Sequence, residues 1–130
     1  MKLNLQQVHH IAIICSDYEK SKKFYTELLG FTIIQEVYRE NRNSYKLDLA
    51  LNGNYIIELF SFPNPPKRPS RPEAVGLRHL AFAVQDISKE VQLLQQSDIS
   101  VEPIRIDELT NKKFTFFEDP DGLPIELYEI

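Results

Sequence analysis

Cysteine is nearly missing from this chain. Cys15 stands alone, so no internal disulfide can staple the fold, and a reducing cytoplasm is the expected compartment. Long apolar runs are missing too: no stretch approaches the roughly 18 residues of a membrane span. Met1–Gln7 lacks the apolar segment of a signal peptide. Nor is positive charge in excess. The formal net charge is −4 and the basic residues are scattered, which argues against nucleic acid as a partner. What remains is ordinary for a globular chain: 130 residues, 42% hydrophobic and 26% charged, enough for one domain with a proper core.

The informative feature is repetition. His10-Ile11-Ala12-Ile13-Ile14-Cys15-Ser16-Asp17 returns in the second half as His79-Leu80-Ala81-Phe82-Ala83-Val84-Gln85-Asp86. Ile57-Glu58-Leu59-Phe60 follows the first copy at nearly the same spacing as Ile125-Glu126-Leu127-Tyr128 follows the second. Val8–Cys15 reads as a strand, with Asp17 at the N-cap of a helix that carries Phe24 and Leu28 on its apolar face and stops at Gly30. Strands follow near Phe31–Arg39, Tyr45–Leu51 and Tyr55–Phe60, the last two joined by the hairpin signal Asn52-Gly53. The second half repeats this order. Leu77–Val84 is a strand, Asp86 caps a helix bearing Val91 and Leu94, and strands follow near Val101–Ile106, Lys113–Phe117 and Leu123–Tyr128. Asp119-Pro120-Asp121-Gly122 makes the last turn. The fold class is therefore α+β, with two tandem β-α-β-β-β modules over about 6–61 and 76–130. A stiff, proline-rich linker over about 62–75 joins them.

Strand parity assigns the faces. Ile11, Ile13 and Cys15 oppose His10, Ala12 and Ile14; Leu80, Phe82 and Val84 oppose His79, Ala81 and Ala83. Ile57 and Leu59 oppose Glu58, and Ile125 and Leu127 oppose Glu126. Bulky apolar side chains take the face a helix would cover, and ionisable groups beside alanines take the other. A lone His or Glu on a strand is ordinarily structural or solvated. Four at equivalent places in two halves are better explained by convergence on a semi-buried cup, where two carboxylates without a cation would repel and lose hydration. A divalent metal removes that conflict. By the same parity His9 faces away from His10 and is structural, and Cys15 is a small core hydrophobe. Phe114 and Phe116 share a face and either pack the core or line the cup. Lys67, Arg68 and Arg71 are either solvated loop charges or an anion-binding rim.

These motifs, together with Ser21-x-x-Phe24-Tyr25-x-x-x-Leu29-Gly30-Phe31, Gly76-x-x-His79 and Asp119-x-x-Gly122, resemble the vicinal oxygen chelate superfamily. That resemblance implies the glyoxalase/bleomycin-resistance/dihydroxybiphenyl dioxygenase fold, paired modules around a metal-lined cup. The order His, Glu, His, Glu is similar to glyoxalase I (lactoylglutathione lyase) and its small bacterial relatives. By position it implies His10, Glu58, His79 and Glu126 as ligands of one Ni, Zn, Co or Mn ion. It also implies a proton abstracted next to a metal-chelated carbonyl, with Glu126 as base and Glu58 as its pseudo-symmetric alternative. An α-oxoaldehyde–thiol adduct is the implied small-molecule substrate, and a homodimer the implied assembly. The departures bear on substrate: an arginine common four residues after the first His is Ile14 here, and an asparagine common four residues after the first Glu is Phe62. A CoA-thioester epimerase, a thiol transferase, an extradiol dioxygenase and a non-catalytic binding module are the other expectations of this superfamily.

Overall fold

A computed structural model describes Met1–Ile130. The chain divides into two compact units, Met1–Pro65 and Pro66–Ile130, and the division falls inside the proline-rich segment.

In the first unit, β1 (Ile11–Cys15) leads to α1 (Tyr18–Lys23), then β2 (Thr32–Arg39), β3 (Ser44–Leu51) and β4 (Asn54–Ser61). The sheet order is β1-β4-β3-β2, with β1 parallel to β4 and the other pairs antiparallel. Asp17 caps α1 by accepting the Lys20 N–H at 3.2 Å. The helix widens at its end into a π-turn over Phe24–Leu28, closed by the Leu29 N–H to the Phe24 carbonyl at 3.0 Å. Gly30, at φ 83°, then lets the Phe31 N–H return to the Tyr25 carbonyl at 2.9 Å, one residue further back than a Schellman 6→1 bond because the turn is π-widened. This widened turn lets Phe24 and Tyr25, neighbours in sequence, both be buried. They pack with Ile13, Cys15, Leu47, Leu49, Ile57 and Leu59 into the unit's core. Asn52 and Gly53 both have positive φ, as a two-residue hairpin between right-twisted strands requires.

The second unit repeats the plan with β5 (Leu80–Val84), α2 (Ile87–Gln96), β6 (Arg105–Ile106), β7 (Lys113–Glu118) and β8 (Pro124–Glu129), ordered β5-β8-β7-β6. Asp86 caps α2 through the Lys89 N–H at 3.1 Å. Ile87, Leu94, Phe117, Ile125 and Leu127 form the core. Three strands are shorter than their patterns suggested: β1 starts at Ile11 rather than Val8, β5 at Leu80 rather than Leu77, and β6 is cut hardest. The apolar run Val101–Ile106 yields only Arg105–Ile106, because Pro103 has no N–H to offer a ladder. Glu102 is instead held through its own backbone, by the Phe116 carbonyl at 3.2 Å and the Thr115 hydroxyl at 2.9 Å.

Candidate metal centre

Each unit brings one imidazole and one carboxylate together on the sheet face opposite its core. His10 lies immediately before β1 and His79 immediately before β5, one residue outside the strands that parity placed them on. Glu58 stands beside Ala12 in the parallel register and Glu126 beside Ala81, so the small residue leaves room next to each carboxylate. His10 Nε2 is 3.6 Å from Glu58 Oε1, and His79 Nε2 is 3.7 Å from Glu126 Oε1. Both gaps exceed hydrogen-bonding distance. They suit two donors sharing an ion, since donors bonded at about 2.0–2.2 Å to one metal stand roughly 3–4.4 Å apart. The Glu58 and Glu126 side chains are 15% and 16% exposed, the semi-burial that favours a cation over bare carboxylate. The residues present therefore fit a divalent ion as two half-sites of mixed nitrogen and oxygen donors. No three His, Cys, Asp or Glu side chains gather into one metal-holding cluster, so each half offers an ion one imidazole and one carboxylate.

The two half-sites differ in their surroundings. In the first, Asp48 is the cross-strand neighbour of Glu58. Lys46 Nζ lies 2.8 Å from Asp48 and 3.4 Å from Glu58. The Tyr55 hydroxyl donates to Asp48 at 2.9 Å and to Glu58 at 3.3 Å. Asp48, and less strongly Glu58, hold the Lys46 ammonium above the ordinary lysine range. Burial, reinforced by Asp48, pushes the Tyr55 hydroxyl up. The Tyr55 ring also stacks on His10, with centroids 5.3 Å apart. His9 corrects the parity reading: its Nδ1 is 2.8 Å from His10 Nδ1, because both residues precede the strand and strict alternation does not govern them.

In the second half-site the matching cross-strand neighbour is Phe116, and no polar network surrounds Glu126. Phe116 meets the His79 ring edge-on at 5.0 Å, and His79 Nδ1 is buried without a hydrogen-bond partner. Phe114 and Phe116 thus flank this half-site rather than the core. Glu126 lines a groove of about 500 Å³ shared with Arg105, Phe114, Tyr128 and the loop that follows β6. Tyr128 pins that loop, its hydroxyl bonding Thr110 and donating to Asp107 at 3.0 Å.

Other sequence candidates fall elsewhere. Cys15 is buried and donates to the Phe60 carbonyl at 3.3 Å. Arg68 spends its guanidinium within the second unit, on Ser70 Oγ at 2.8 Å and on the Leu77 and Arg78 carbonyls. Lys46, Asp48 and Tyr55 were not singled out from the sequence, although Leu47-Asp48-Leu49 alternates just as Ile57-Glu58-Leu59 does.

Two β-α-β-β-β units in tandem, each bringing one His and one Glu together at matching positions, define a repeat-built α+β protein. The profile described as "Glyoxalase/Bleomycin resistance protein/Dioxygenase superfamily" matches residues 7–127, and the chain belongs to that family, the vicinal oxygen chelate superfamily. It is similar to YwkD of Bacillus subtilis (strain 168), 68% identical over 96% of this chain and 98% of YwkD. YaeR of Escherichia coli (strain K12) is 65% identical over 98% of each. Among solved structures, the glyoxalase family protein from Enterococcus faecalis superimposes with a TM-score of 0.89 at 47% identity, covering 98% of this chain and 100% of that one. More distant relatives are named as metallothiol transferase FosB, an epimerase and lactoylglutathione lyase, at 26–28% identity.

Proposed function

We propose that this chain is a divalent-metal-dependent lyase or isomerase that moves a proton next to a chelated carbonyl of a small substrate. The observation that carries the reading is the matched pair of His–Glu contacts, 3.6 and 3.7 Å, at the same register in both units. Two such half-sites, supplied by one chain or by two, make a set of His10, Glu58, His79 and Glu126. That set suits Ni, Zn, Co or Mn. A bound ion would supply Lewis-acid polarisation of a carbonyl placed at its open positions.

The chain's own residues divide the remaining work. Glu58 is held by Tyr55 and Lys46 and stays in place. Glu126 lies 3.7 Å from His79, accepts no side-chain hydrogen bond, and faces the groove. It is therefore free to swing, take a proton from the carbon beside the carbonyl and return it to a neighbouring atom. Phe114 and Phe116 give that side of the half-site an aromatic wall. An α-oxoaldehyde–thiol adduct has the adjacent oxygens and the acidic C–H this chemistry requires.

The test combines elemental analysis of the purified protein with a turnover screen of α-oxoaldehyde adducts of glutathione, bacillithiol and CoA. One ion per site is expected, and Glu126→Gln should keep most of the metal while losing turnover by roughly 100-fold or more, as removal of a general base does. Metal far below one per site would overturn the reading. Undiminished rates in Glu126→Gln would remove Glu126 from the chemistry.

A further inference from the structure

We propose that Arg39 forms an oxyanion subsite in the first unit, recognising a carboxylate or phosphate on the far end of the molecule whose other end reaches Glu58. The inference rests on Glu58 being a metal ligand only for the second half of that statement.

The Arg39 guanidinium lies over Phe60 at 4.8 Å and over Phe62 at 5.7 Å, two rings that also stack on each other. Its Nη2 donates to the Ser44 hydroxyl at 2.9 Å, while its Nε–H is buried with no partner. No carboxylate pairs with it, in a chain of net charge −4 where counter-ions are plentiful. An arginine whose Nε–H is buried and unpartnered, and whose charge no carboxylate neutralises, carries an unmet hydrogen bond in the free protein. An oxyanion offers the planar, doubly accepting partner that a guanidinium matches best.

The second unit holds an internal control. Arg105 lies over Phe114 at 4.8 Å and Phe116 at 5.7 Å, the same stack. Yet Arg105 is neutralised by Glu102, with Nη2 2.8 Å from Oε1. Ring stacking alone thus does not require a bare guanidinium. Of the two stacked arginines, only Arg39 is left for an external anion.

Position gives the subsite its meaning. Phe60 follows Glu58 by two residues on β4, so it shares the Glu58 face about 7 Å further along the strand. Lys46, across from Phe60, is already committed to Asp48 and Glu58. The ligand class that fits is a small bifunctional molecule: oxygens at one end, an oxyanion at the other, and an apolar or planar middle on the Phe60–Phe62 floor.

The test follows arginine Nε–H resonances of the metal-free full chain during titration with inorganic phosphate and, separately, acetate, at constant ionic strength. The Arg39 signal, assigned by its loss in Arg39→Met, should shift saturably with at least one anion; which anion works identifies the headgroup class. Binding should weaken at least tenfold in Arg39→Met and several-fold in Arg39→Lys, which keeps the stem and the charge but loses the fork. Arg105→Met should bind within twofold of wild type, and Arg39→Met should retain the wild-type metal content. No saturable shift with either anion, or unchanged binding in both Arg39 variants, would overturn the proposal. A failure to hold metal would instead strike the proposed function and leave this titration standing.

Discussion

Tyr55 touches nearly everything that matters in the first half-site: it stacks on His10, meets His9 edge-on at 5.4 Å, and donates to both Asp48 and Glu58. Outer contacts of this kind orient metal ligands, and losing one costs about 10–100-fold in metal affinity. Tyr55→Phe should accordingly weaken metal binding by roughly that factor while leaving near-UV circular dichroism unchanged; calorimetric titration with Zn²⁺ checks it. A second prediction concerns Glu36, which has no part in the site. Lys22 at 2.7 Å, and then the Tyr18 hydroxyl, hold the Glu36 carboxyl below the usual carboxylate range. A depressed folded value means that the stabilisation is fully present above the ordinary carboxylate pKa of about 4.3 and is lost as pH falls through the lower folded value. About a third of the side chain is exposed, so screening limits the effect. Glu36→Gln should cost about 0.5–1 kcal/mol at pH 7 by urea denaturation, with the gap to wild type closing as the pH drops below that range.

Elements explain how much could be read without coordinates. Caps, the Asn52-Gly53 hairpin and the Gly30 stop are local physics, and each is realised where its residues predict; alternation holds within the strands but not at His9, which precedes β1. Asp86→Ala should therefore destabilise α2, ten residues long, by about 0.5–2 kcal/mol in thermal or chemical unfolding. The positions of His10, Glu58, His79 and Glu126 were legible because repetition and period-two alternation act over a few residues. The company they keep was not. Whether Asp48 or Phe116 faces the carboxylate depends on cross-strand register, and β3–β4 contains a register shift at Leu49/Ala50 that no alternation pattern encodes. Arg39 was equally hidden: a cation without a counter-ion is a property of space, not of spacing.

At the scale of the whole molecule, duplication has produced two units with the same backbone plan and different chemistry on the exposed sheet face. The first half-site is polar and braced; the second is aromatic, with an unrestrained carboxylate beside a groove. Under the proposed function, that asymmetry assigns holding to Glu58 and proton transfer to Glu126. No helix is long and apolar enough to cross a membrane. The proposed four-donor set is tested by cobalt(II) titration of the metal-stripped full chain, read by visible absorption. One ion per chain should bind. His10→Ala and His79→Ala should each weaken binding by more than roughly 100-fold, since even outer contacts are worth about 10–100-fold. Saturation without cobalt absorption, or wild-type affinity in either histidine variant, would contradict the four-donor set.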